Sequence, residues 1–95
     1  MMDTYRQEQN MYVEQAELLK ALAHPVRLCI VKGLIEKGGC NVSTMQHCLK
    51  LPQSTISQHL AKLKAENIVS AERQGVEVIY RVHNQTVKQL MAILF

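Results

Sequence analysis

A mainly α fold carrying one β-hairpin, in the order α-α-α-α-β-β-α, is what the sequence predicts. Apolar residues recur at three- and four-residue intervals from the N-terminal segment to about Glu66. The period then changes, and two β-branched runs flank Gly75. A final amphipathic stretch begins near Asn84.

The first helix is expected over about Thr4 to Ala21, with Tyr12, Ala16, Leu19 and Leu22 at helical spacing. His24-Pro25 interrupts it, and Pro25 suits the first position of the next helix, where a missing N–H costs nothing. Val26, Ile30, Val31 and Leu34 form the apolar face of that second helix, which Lys37-Gly38-Gly39 ends with a cation and a left-handed cap. Asn41 is a good N-cap for a short third helix whose Val42, Met45 and Leu49 face inward. Lys50-Leu51 forms a tight turn, and Pro52 opens a fourth helix running to about Glu66, with Ile56, Leu60 and Leu63 as its buried side. Ile68 to Arg73 and Glu77 to Val82 are the expected strands, joined by a turn at Gln74-Gly75. Val87, Leu90, Met91 and Leu94 line the inner face of the last helix.

The 95 residues make one domain, and hydrophobic residues at 47% exclude a disordered polar chain. No apolar run is long enough to span a membrane, and MMDTYRQEQN lacks the apolar core of a secretory signal, so a cytoplasmic protein is expected. Three cysteines without paired spacing fit reduced thiols better than a disulfide framework. The net charge of +3 is mild, but Asn41 to Val82 holds five bases against three acids, so most of the excess is central.

The third and fourth helices with their turn make a helix-turn-helix, and the hairpin behind them makes a wing. A helix entering the major groove needs short hydrogen-bonding side chains near its N-terminus. Gln53, Ser54, Thr55, Ser57 and Gln58 supply them, with Lys62 further along the same side. Glutamine pairs bidentately with adenine, and serine and threonine bond to several base edges and to phosphate. Arg73 and Gln74, near the hairpin tip, are expected on the DNA backbone or in the minor groove. The stripes at Leu19 and Leu22 and at Leu90, Met91 and Leu94 exceed what so small a core needs, which argues for a two-fold homodimer presenting two reading helices to an inverted repeat.

Over about Ala16 to Leu94 the chain resembles the ArsR/SmtB family of winged-helix repressors. The segments LKALAHPVRLCIV (Leu19 to Val31), LKLPQSTISQHLAKL (Leu49 to Leu63) and RQGVEVIYRV (Arg73 to Val82) carry the resemblance. It implies a homodimer joined by its first and last helices, with the fourth helix as the reader of double-stranded DNA. Gln53, Ser54, Thr55, Ser57 and Gln58 fall on the family's reading positions, and His59 is either a DNA contact or a packed histidine. The resemblance places the arsenic- and cadmium-type thiolate positions at Asn41 and Ser43, which are poor soft-metal ligands. The zinc- and nickel-type positions of the last helix hold His83, Asn84, Gln85, Lys88 and Gln89 rather than a ligand set. The chain is thus similar to a subgroup lacking the usual metal ligands, and neither a cofactor nor a metal or small-molecule inducer is expected.

Two alternatives stay open. Cys40 and Cys48 form a candidate redox pair, Cys40 expected exposed behind the glycines and Cys48 beside His47, whereas Cys29 beside Ile30 is expected in or bordering the core. A winged-helix module for protein partners is the other, opposed by a fourth-helix face that is polar to basic. An enzyme is not expected: Gly38-Gly39 is no phosphate loop, and no nucleophile–base–acid set is evident.

Overall fold

The computed structural model describes the backbone of residues 2–95 and the side chains of residues 5–95. Among the described residues the order is α1 (Met2–Gln7), α2 (Gln9–Leu22), α3 (Pro25–Lys37), α4 (Val42–Leu49), α5 (Gln53–Ala65), β1 (Ser70–Gln74), β2 (Glu77–Arg81) and α6 (Gln85–Leu94). The expected N-terminal helix is therefore in two pieces, because Glu8 leaves the helical region at φ −117°, ψ 25°.

Side-chain caps set three of the helix starts. The His24 imidazole accepts from the Val26 N–H, and Pro25 opens α3. Asn41 Oδ1 accepts from the Thr44 N–H at 2.8 Å, and Asn84 Oδ1 from the Val87 N–H at 3.1 Å. Pro52 lies just outside α5 at φ −59°, ψ 147°, as its N-cap rather than its first residue. Gly38 closes α3 in the left-handed region at φ 75°.

The α5 C-terminus corrects the expected strand. Asn67 takes φ 57°, its N–H donates to the Lys64 carbonyl, and the Ile68 N–H donates back to the Leu63 carbonyl, both at 3.0 Å. This is a Schellman cap, whose accompanying apolar contact is between the residues at the Leu63 and Ile68 positions. Ile68 and Val69 are consequently buried core residues ahead of β1, not part of it. At the far end Gln74 is the last residue of β1, opposite Glu77, and the two-residue turn is Gly75-Val76. Gly75 supplies the positive φ of 65° that lets so short a turn follow the strand twist.

The core gathers Leu22 of α2, Ile30, Val31 and Leu34 of α3, Met45 of α4, Ile56, Leu60 and Leu63 of α5, Ile68, Val82, Val87 and Met91. Leu22 and Met91, expected as surplus apolar surface, are thus used within the monomer. Cys29 corrects the opposite way and is exposed. One residue before Ile30 is about 100° round the helix, away from Val31 and Leu34.

A third strand position completes the wing. Cys40 and Tyr80 form an antiparallel bridge, each N–H donating to the other's carbonyl at 3.1 and 2.9 Å. Gly39 makes this approach possible: a Cβ there would lie 3.0 Å from Ile79 Cγ2, and its φ of 142° suits only glycine.

Candidate nucleic-acid interface

The helix-turn-helix is α4, the turn at Lys50–Pro52 and α5. Lys50 adopts φ 56°, and its N–H donates to the Gln46 carbonyl, reversing the chain within one residue of α4. Leu49 and Leu51, both half-buried, anchor the turn against the core. On α5, Ile56, Leu60 and Leu63 are 0, 2 and 0% exposed and fix the rotation of the helix about its axis. Gln53, Ser54, Ser57, Gln58, Ala61 and Lys62 consequently face solvent on the outer side. Thr55 is half-buried, so its hydroxyl is less available to a groove than those of Ser54 and Ser57.

The wing carries Arg73 and Gln74, both exposed. Its position is tied to the reading unit by two contacts: the Cys40–Tyr80 bridge joins β2 to the α4 entry, and Asn41 Nδ2 donates to Glu77 Oε1 at 3.0 Å. Within the hairpin, Arg81 donates across to Glu72 at 2.9 Å. Asn41 therefore caps α4 with its oxygen and holds the wing with its nitrogen.

His59 is half-buried and turns from the outer face toward the junction of α2 and α3. Its ring stacks at 4.5 Å, tilted 49°, on His24, and Arg27 Nη1 lies 3.3 Å from its Nδ1. Guanidinium can only donate, so Nδ1 accepts and the His59 proton resides on Nε2. Burial, followed by the charges of His24 and Arg27, holds His59 below its ordinary value of 6.5. The same Arg27 donates to the Ala21 and Lys20 carbonyls, serving as a cationic cap for the end of α2. Arg27 and His24 thus lock the reading helix to α2 and α3, a role the sequence reading did not assign. One signal was present: a cation in the first turn of a helix opposes the dipole and calls for a partner elsewhere.

All three cysteines are free thiols. Cys40 is half-buried rather than exposed, with its thiol donating to the Asn41 carbonyl at 3.4 Å, while Cys48 lies 3.8 Å from the Lys37 ammonium. Among the described residues no three histidine, cysteine or acidic side chains converge as a metal site. No helix among them is long and apolar enough to cross a membrane.

Comparison with known proteins agrees with this geometry. A helix-turn-helix domain family matches residues 22–70. The transcriptional repressor PagR of Bacillus anthracis is 43% identical over 81 residues, 85% of this chain and 81% of PagR. The PagR crystal structure superposes with a TM-score of 0.85 at 41% identity, over 93% of this chain and 100% of that one. The repressor SmtB of Mycobacterium tuberculosis is 50% identical over 66 residues, 70% of this chain but 48% of SmtB, so this chain spans about half that relative. A homodimeric winged helix-turn-helix DNA-binding domain from Mycobacterium bovis, a possible ArsR-family regulator, superposes with a TM-score of 0.83 at 29% identity, covering 92% of this chain and 80% of that one.

Proposed function

Because the chain belongs to the ArsR/SmtB family of winged helix-turn-helix transcriptional repressors, we propose that it represses transcription by binding an inverted-repeat operator as a homodimer. In this reading α5 enters the major groove. Gln53, Ser54, Ser57 and Gln58 read base edges, Thr55 and Lys62 support them at the backbone, and Arg73 and Gln74 of the wing bind phosphate or the minor groove. His59 acts chiefly by holding α5 in place. The observation that carries the proposal is the division of α5 into a fully buried apolar side and an exposed, short, polar side.

Residues 9–17 of α2 are exposed throughout, and Leu19 is 53% exposed. An isolated helix of this length is marginal in water, so a second copy packed along α2 and α6 supplies what its own chain does not. Each copy, over residues 1–95, is one winged helix-turn-helix domain, and its terminal helices make the interface.

A salt titration of duplex binding tests the proposal. Affinity is expected to fall linearly in a log–log plot, and Arg73→Ala is expected to make the slope shallower by about one. Duplex binding that ignores salt would remove phosphate contacts from the reading, and no duplex binding at all would remove DNA. An unchanged slope for Arg73→Ala would remove the wing from the phosphate contacts.

A further inference from the structure

Folding places three thiols from separate elements along one cleft. Cys29 from the outer side of α3, Cys40 from the bridge and Cys48 from α4 line one cleft of about 300 Å³ between α3 and α4. The buried Leu34 and Met45 give it an apolar floor, and the exposed Glu36 and Lys37 supply one charge of each sign to its lining. Gly33 also borders it, with nothing within 4 Å of where a Cβ would be. An apolar cavity of about 150 Å³ holds a benzene ring, so this cleft has room for one substituted ring.

We infer that this cleft captures a small apolar α,β-unsaturated carbonyl compound by covalent addition to Cys48, and that the adduct releases the repressor from its operator. The thiols differ in readiness. Cys40 has its main chain bonded to Tyr80 in both directions and its thiol engaged on the Asn41 carbonyl. Cys48 is exposed and faces the Lys37 ammonium at 3.8 Å. The cleft selects an uncharged, ring-sized electrophile, and Lys37 offers a donor for the carbonyl oxygen. In the addition, the Cys48 thiol loses its proton to solvent and the sulfur pair forms a C–S bond to the β-carbon. The C=C π pair moves to the carbonyl as an enolate, and water returns one proton to the α-carbon. No oxidant or reductant is consumed.

The consequence for DNA follows from position. A ring between α3 and α4 moves α4, whose C-terminal turn sets the start of α5 and whose N-cap Asn41 holds the wing at Glu77. The release step rests on the DNA-binding reading above, whereas the capture step does not.

The test treats the full chain with 2-cyclohexenone and, separately, with acrylamide, a polar acceptor that adds by the same chemistry. Intact-mass and peptide-mass spectrometry follow each reaction, with the urea-unfolded chain as reference. Folding is expected to raise the Cys48 rate for cyclohexenone about tenfold relative to acrylamide, the gain from holding the ring beside the thiol. Gly33→Met fills the cleft without opposing helix formation, and is expected to abolish that preference while leaving acrylamide labelling intact. The cyclohexenone adduct is expected to weaken duplex binding about tenfold or more. Equal preference for the two electrophiles, or a preference that survives Gly33→Met, overturns capture. Selective capture with unchanged duplex affinity overturns release. An unmodified chain that never binds duplex refutes the DNA reading and release with it, while the mass measurements still decide capture.

Discussion

Ser57 and Gln58 make no side-chain hydrogen bond to their own chain among the described residues, and both are exposed. Side chains without an internal partner keep their donors and acceptors for an outside one. Gln58→Ala is expected to lower the preference for operator over random duplex by about tenfold, within the roughly 1–3 kcal/mol of a base contact, with little change in thermal stability. Parallel binding curves on the two duplexes check it, and equal loss on both would reassign Gln58 to positioning. His59 behaves differently because its bonds are internal. Its folded value lies below 6.5, so on acidification the unfolded chain takes up the proton first. Its contribution to stability is full above about pH 6.5 and is lost as pH falls from there through the folded value. Thermal melts at about pH 7.5 and pH 5.5 are expected to differ less for His59→Gln than for the parent chain. The exposed positions were legible in the sequence from the helical spacing of Ile56, Leu60 and Leu63, whereas the His24–His59–Arg27 cluster joins residues 32 positions apart and was not.

Element by element, the side-chain-capped helix starts and the Gly38 stop follow local chemistry, whereas the end of α5 also needed the core. Asn41, Asn84 and His24 cap their helices through bonds to residues two or three positions on, which is why such starts can be read directly. The end of α5 could not be read so, because Ile68 and Val69 have a strand composition but are used in a cap and in the core. Asn41 has a second bond, to Glu77, that no local rule supplies. Asn41→Ala is therefore expected to cost about 1 kcal/mol, lowering the melting temperature by roughly 4–8 °C. Glu77→Ala, which keeps the cap and removes the acceptor of the Asn41 side-chain N–H, is expected to leave it almost unchanged, since an exposed side-chain contact contributes little. Calorimetry of both variants distinguishes cap from tether, and a larger loss for Glu77→Ala would reverse the assignment.

For the whole molecule, shape is the informative quantity. The radius of gyration is 14.8 Å and the long axis 50 Å, against about 12 Å for a compact chain of this length. The excess accompanies α2, whose buried residues are confined to Ala21 and Leu22 at its end. Leu19 and, on α6, Ile93 at 80% exposure remain uncovered. Burying a leucine or isoleucine side chain contributes about 1.5–3 kcal/mol, so a glutamate at each position should split the assembly. Leu19→Glu with Ile93→Glu is expected to sediment as a monomer and to bind an inverted repeat no better than a half-site. A double variant that stays dimeric would place the interface elsewhere.

The sequence by itself determined the order of the major elements, the inward face of α5 and the Asn41 and Gly38 caps, which rest on neighbours within about one or two helical turns, and it carried the family resemblance in three segments between Leu19 and Val82. Only the tertiary structure decided that the N-terminal helix breaks at Glu8, that Leu22 and Met91 belong to the core, that Cys29 faces outward and shares a cleft with Cys40 and Cys48, and that Arg27 holds His59. Those outcomes depend on how helices are rotated and set against one another, and that setting is a property of the packed core rather than of any local stretch of chain.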